Sequence, residues 1–205
     1  SKEKDALIFS NPLVENVYEM GSIIKPLTLA AGIDAGVITA SSTYYDGGSI
    51  TLSGQKIKNF DNKVRGVVTM QDFLSQSLNV GAVHIESLLG KQRFADYMRR
   101  FGVDEKTGID LPHEGRNLTE NLNSPRELEY AQIAFGQGIA LTPITTVRAL
   151  ASIANDGVLV TPHVVKRINF KTGLFDTISH PAGTQVIQKY TANEVARMMT
   201  YSVDN

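Results

Sequence analysis

The nine residues Tyr18-Glu19-Met20-Gly21-Ser22-Ile23-Ile24-Lys25-Pro26 decide how the rest of the chain is read. In a helix, residues three apart share a face, so Ser22 and Lys25 are placed to meet through their side chains. A serine hydroxyl is a weak nucleophile until a base takes its proton. A lysine in apolar surroundings is desolvated, its pKa falls, and it can serve as that base. Ile23, Ile24 and Leu27 would supply such surroundings. A serine near a helix start also gains from the positive end of the dipole as negative charge develops. Pro26 places that start close to Ser22, because proline is tolerated only in the first turn. It also sets Lys25 against helical backbone, since the residue before proline is pushed toward extended conformations. A local conflict of this kind is expected where function overrides propensity. Ser-x-x-Lys alone recurs by chance, so the reading needs support from elsewhere.

That support lies downstream, in Leu74-Ser75-Gln76-Ser77-Leu78-Asn79-Val80-Gly81-Ala82, between two predicted helices. A Ser-x-Asn turn there would direct a hydroxyl and a carboxamide into one cleft. Ser77 would relay a proton between Lys25 and a leaving amine. Asn79 would donate to a substrate carbonyl and accept from Lys25 or a substrate N–H. An isolated Ser and Asn pair reads equally well as a turn or a cap. Two such patterns in this order, each in a suitable context, strengthen one another.

The helices around them are legible from their ends. Leu27, Leu29, Ala30, Ala31 and Ile33 predict a buried helix closed near Gly36. Thr69, with Asp72, caps a short helix through Phe73 and Leu74. A second helix is expected from Val80 to Leu89, stopped at Gly90. Phe94, Tyr97, Met98 and Phe101 mark another, stopped by Gly102. Thr142-Pro143 is an N-cap followed by a first-turn proline, with Ile144, Val147, Leu150 and Ile153 at helical spacing before Gly157. Thr191-Ala192-Asn193-Glu194 reads as a capping box opening a helix that runs to Asn205. Strand signals are sparse: Ser49–Leu52, Val158–Val160 and Val164–Ile168 are expected as hairpin arms, and Leu111–Pro125 as a long loop. The expected fold is therefore α+β but mainly helical.

Composition narrows the function. Over 205 residues the formal charge is −1, which gives no electrostatic case for nucleic acid as a partner. Cysteine is absent, so thiolate nucleophiles and Cys-ligated zinc are excluded. His84, His113, His163 and His180 lie too far apart for a short metal motif, and neither a metal nor a cofactor is expected. No run approaches the length of a membrane span, and the polar start Ser1-Lys2-Glu3-Lys4-Asp5 does not read as a signal peptide.

With both motifs in place, the chain resembles the transpeptidase domain of class B penicillin-binding proteins. That family carries Ser-x-x-Lys, then Ser-x-Asn, then Lys-Thr-Gly. The similarity continues through Phe101-Gly102-Val103, Thr107-Gly108-Ile109-Asp110-Leu111-Pro112 and Glu114. It extends to Ala134-Phe135-Gly136-Gln137-Gly138, Leu141-Thr142-Pro143, and Ala154-Asn155-Asp156-Gly157 with Pro162. The resemblance implies that Ser22 attacks the carbonyl between the terminal D-alanines of a peptidoglycan stem peptide. Lys25 would be the base, Ser77 the relay, and Asn79 the substrate-positioning group. β-Lactams would acylate the same serine. It also implies a location at the extracytoplasmic face of the bacterial membrane, through an anchor outside this chain, and partners in wall synthesis reached through other domains.

Lys-Thr-Gly occurs at Lys106–Gly108 and again at Lys171–Gly173. Neither suits the third motif, which in the family lies on a strand edging the site. The first belongs to the loop entry and the second to a hairpin turn. The true copy is expected after Asn205, and residues 1–205 are expected to form a single, partial transpeptidase domain lacking most of its central sheet. Other readings stay open: a β-lactamase or carboxypeptidase sharing the first motif, a penicillin-sensing relative, or an inactive fragment. Asp110 and Glu114 are read as loop-solvating or capping acids and His84 as a packed or surface residue. Asn117-Leu118-Thr119 is read as a sequon without meaning, and Gly136 and Gly138 as sites of close backbone approach.

Overall fold

A computed structural model describes residues 10–204; the polar start Ser1–Asp5 and Asn205 lie outside them. After a single helical turn, α1 (Pro12–Glu15), a 3-10 turn over Gly21–Ile24 leads directly into α2 (Lys25–Asp34). Strands β1 (Thr43–Asp46), β2 (Ser49–Leu52), β3 (Gln55–Lys58) and β4 (Gly66–Thr69) follow. Helices α3 (Met70–Ser75), α4 (Asn79–Leu89) and α5 (Lys91–Arg100) come next, then a loop with a 3-10 turn at Glu120–Asn123. The chain ends with α6 (Glu127–Ile133), α7 (Pro143–Ala154), β5 (Val158–Leu159), β6 (Arg167–Asn169), β7 (Phe175–Thr177), β8 (Thr184–Gln185) and α8 (Lys189–Asp204).

The centre of the molecule is α2. Every residue from Lys25 to Ile33 is buried, as expected of a helix that is apolar on all sides. It packs against α3, α4, α5, α7 and α8. Leu27, Leu29, Phe73, Ile85, Phe94, Met98, Val195 and Met198 interlock around it. Each such side chain contributes about 1.5–3 kcal/mol by leaving water. Where α2 meets α4, a Cβ on Gly32 would stand 2.7 Å from Ile85 Cγ2 and 2.8 Å from Ile38 Cδ1, so this contact is set by the missing side chain.

The sheets are small and peripheral. β1 pairs antiparallel with β4, Thr43 opposite Thr69, and β2 with β3, Ser49 opposite Lys58. Asp46, at the end of β1, is completely buried. Its carboxylate accepts from Gly48 N and the Tyr44 hydroxyl, and both of its oxygens accept from Asn59 Nδ2, at 2.7–3.2 Å. Asn59 Oδ1 in turn accepts from Val80 N in the first turn of α4. The hairpin is thus bonded to the helix that follows the second motif.

Thr69 is the expected cap, and with Asp72 it completes a reciprocal capping box; Thr142 is the expected N-cap, and Ser49–Leu52 a hairpin arm. Some expectations need correction. Lys25 is helical (φ −55°, ψ −36°) despite preceding proline, because its N–H closes the 3-10 turn on Ser22 O and its ammonium is tied to the second motif. Thr191 does not open the last helix, which starts two residues earlier and ends at Asp204 among the described residues. Its hydroxyl donates to Asp34 of α2, which also accepts from Gln188 N, while Glu194 pairs with Arg197. The last helix is therefore fixed by an acid from another element rather than by its own box. Val164 and Val165 are not in a strand; both their N–H groups donate to Asp110 at 2.8 Å, and the ladder begins only at Arg167. Val158–Leu159 finds its partner in Thr184–Gln185. The short elements α1, β1, β4 and α6 carry too little periodicity to be read from sequence.

Candidate active site

The 3-10 turn does more for the first motif than an α-helix would. Residues i and i+3 eclipse in 3-10 geometry, so Ser22 stands directly over Lys25. Ser22 is exposed, whereas Lys25 is 1% exposed. Lys25 Nζ lies 3.2 Å from Ser22 Oγ, and it also donates to Ser77 Oγ at 3.0 Å and to Ser77 O at 2.5 Å. Loss of water around the amine lowers its pKa to about 8. At neutral pH a useful share of the amine is free, and it is in contact with both hydroxyls.

Ser77 reaches the amine because the chain between α3 and α4 turns sharply. Its φ is +53°, a conformation costly for a side-chain-bearing residue and common at sites that over-determine it. Ser77 N donates to Leu74 O and Leu78 N to Phe73 O, which ends α3 and re-aims the hydroxyl toward α2. Asn79 opens α4. Its Nδ2 donates to Lys58 O at 2.8 Å, and it makes no direct bond to Lys25. Three of the four expected residues therefore converge on one amine, and Asn79 sits beside them, anchored to the β2–β3 hairpin. A groove of about 310 Å³ opens at Asn79, lined by Lys56, Lys58, Gln132, Phe135 and Gln137.

A backbone clamp holds the first motif. Gly21 N donates to Gly136 O, and Gly138 N to Glu19 Oε1, at 2.9 and 2.8 Å. Thr28 Oγ1 donates to Ala134 O, and Tyr18 bridges to Leu141. Gly136 has φ +85°, and a Cβ there would run into the carbonyl of Gly21. Sequence reading marked Gly136 and Gly138 as close approaches but missed Glu19, Thr28 and the Asp46–Asn59 pair, whose partners are remote in sequence.

The remaining candidates fall elsewhere. In the first Lys-Thr-Gly, Thr107 is buried and both its N–H and hydroxyl donate to Glu114. The second is the exposed turn between β6 and β7. Asp110 and Glu114 thus hold separate loop segments. His84 stacks on Tyr44 at 5.3 Å. Asn117 is buried, bonded to Val103 O and Thr145, and accepts from Thr142 N, so it serves as an internal brace. A groove of about 840 Å³ beside Leu89–Arg93 lies away from Ser22, and its Lys91 and Arg99 are bonded to carbonyls of Pro125 and Leu122. Chemistry rather than size therefore identifies the site.

The whole chain, residues 1–205, matches the family described as penicillin binding protein transpeptidase domain. The chain belongs to that family. It is 34% identical over 154 residues to stage V sporulation protein D of Bacillus subtilis, covering 75% of this chain and 24% of that protein. With penicillin-binding protein PbpB of Mycolicibacterium smegmatis it shares 28% identity over 188 residues, 92% of this chain and 29% of the relative. Penicillin-binding protein 3 of Mycobacterium tuberculosis, solved in complex with aztreonam, superposes with a TM-score of 0.89 at 28% identity, over 96% of this chain and 44% of that one. The fold is thus that of the penicillin-binding protein transpeptidases, in the mainly helical part this chain spans. The chain covers about a quarter of the length of these two curated relatives. Among the described residues no helix is long and apolar enough to cross a membrane.

Proposed function

We propose that the protein carrying this chain is a peptidoglycan D,D-transpeptidase, and that residues 1–205 belong to one transpeptidase domain in which Ser22 is the acylated nucleophile. The observation that carries this reading is the buried Lys25 amine in contact with the hydroxyls of both Ser22 and Ser77. Neutral Lys25 takes the Ser22 proton as Oγ attacks the carbonyl between two terminal D-alanines. The C–N bond breaks, and the proton passes through Ser77 to the departing D-alanine amine. A second stem-peptide amine then attacks the acyl-serine, the C–O bond breaks, and Ser22 recovers its proton. Asn79, at the mouth of the groove, positions the peptide by its carboxamide. β-Lactams enter the same acylation step. The extracytoplasmic face of the bacterial membrane, with wall-synthesis partners, is the setting this reaction requires.

The test is covalent labelling of the full-length protein with a fluorescent penicillin, followed by mass mapping. A single adduct on Ser22, slow to hydrolyse and lost in S22A, is expected. Labelling of another residue, or of S22A as fully as the unaltered protein, would overturn the proposal; rapid release would point to a β-lactamase.

A further inference from the structure

Behind the catalytic turn, at the far end of α4, lies a second cavity that the transpeptidase reading does not use. It is bounded by Ile50 and Leu52 of β2, Val83, Glu86 and Ser87 of α4, Gly90 and Lys91 at the start of α5, and Glu127 at the start of α6, with a volume of about 420 Å³. Glu86 lies seven positions beyond Asn79 in α4, about 10 Å along the helix. The site is therefore distinct from the Ser22 centre.

Its character is set by Glu86. This side chain is 5% exposed, lines the cavity, and makes no hydrogen bond or ion pair among the described residues. No hydrogen bond offsets the burial of this side chain, and its carboxyl oxygens are not sealed from the cavity, so they are open to a ligand there. The charged groups facing it are Glu127 from α6 and Lys91 from α5; the hairpin presents only Ile50 and Leu52. Glu127 is a like charge. Lys91 donates to Pro125 O at 2.9 Å and makes no ion pair with either acid. The cavity thus holds two carboxyl groups against one committed ammonium, beside an aliphatic wall. Among the described residues no three acidic or histidine ligands gather, so it does not form a metal site.

We infer that this cavity binds an organic monocation, an amine or guanidinium carried on a short aliphatic stem. The cationic head pairs with Glu86 and Glu127, and the stem lies on Ile50, Leu52 and Val83. Burial, with Glu127 adding to it, raises the Glu86 pKa to about 7. Cation binding therefore favours the carboxylate and releases a proton near neutrality.

Two sources share this chemistry, a free alkylamine and a basic side chain of a partner segment. Calorimetry on the full-length protein would compare n-pentylammonium, 1-pentanol and pentanoate, and the capped peptide N-acetyl-Leu-Arg-Leu-amide. Saturable binding is expected for a cationic probe, at least about tenfold weaker for pentanol and pentanoate, and at least about fivefold weaker in E86Q and in E127Q. Binding of pentylammonium alone assigns the source to small amines; binding of the peptide alone assigns it to a basic partner segment. Fluorescent-penicillin labelling at the unaltered rate shows that both variants are folded and reports the Ser22 chemistry separately. Pentanol binding as tightly as the amine, no saturation by either cation, or unchanged affinity in E86Q overturns the inference.

Discussion

At Lys25, burial and the proposed base chemistry meet in one residue. An ammonium taken out of water is disfavoured, and no carboxylate stands beside this one to offset the loss, so the amine gives up its proton more readily than an exposed lysine does. If it is the base, acylation by a penicillin should rise with pH up to about 8 and then level, as the free amine fills. K25A should lower the acylation rate by about 10²–10⁴ and flatten that profile, read by labelling rates from about pH 6 to 9. A pH-independent rate in the unaltered protein over that range would remove Lys25 from the role. The pairing of Ser22 with Lys25 was legible in the sequence because it depends only on spacing. The contact with Ser77 was legible only as a possibility, since it needs a positive φ and a turn that no local pattern specifies.

Among the elements, the decisive contact joins the 3-10 turn to the turn Ala134–Gly138 that follows α6. Where Gly136 meets Gly21 it is backbone against backbone, so a methyl group on Gly136 has nowhere to go. G136A places a Cβ into the Gly21 carbonyl at a left-handed φ, whereas G21A, also left-handed, meets nothing within 4 Å. G21A should cost about 1 kcal/mol of local strain. G136A should cost clearly more, about 2–4 kcal/mol, and also slow acylation, because the turn carrying Ser22 must move. Urea unfolding with parallel labelling separates the two; equal losses would show that the clamp does not hold the turn. Helix ends with their own caps, such as Thr69 and Thr142, were readable from sequence. The start of α8 was not, because Asp34, 154 residues away along the chain from Gln188, supplies its partner.

For the molecule as a whole, two buried groups should give the stability profile opposite slopes. Glu86 holds its proton more tightly when folded, so between about 4.5 and about 7 the native state carries the extra proton and stability falls as pH rises. Lys25 holds its proton less tightly, so between about 8 and about 10.5 the unfolded state carries it and stability rises with pH. Across its window each change amounts to about 3 kcal/mol. Urea unfolding across pH should show that E86Q removes the acid-side fall and K25M the alkaline-side rise; parallel curves for variant and unaltered protein would contradict both assignments. By itself the sequence determined what depends on neighbours along the chain: the helical character, most helix boundaries and the Ser-x-x-Lys pair. Only the tertiary structure decided what depends on remote partners. It brought Ser77 onto the Lys25 amine, tied Asn79 to the hairpin, closed the glycine clamp and left Glu86 unpaired in its cavity. The physical reason is that spacing specifies a face of an element, whereas desolvation and hydrogen-bond partners are properties of whatever packs against that face.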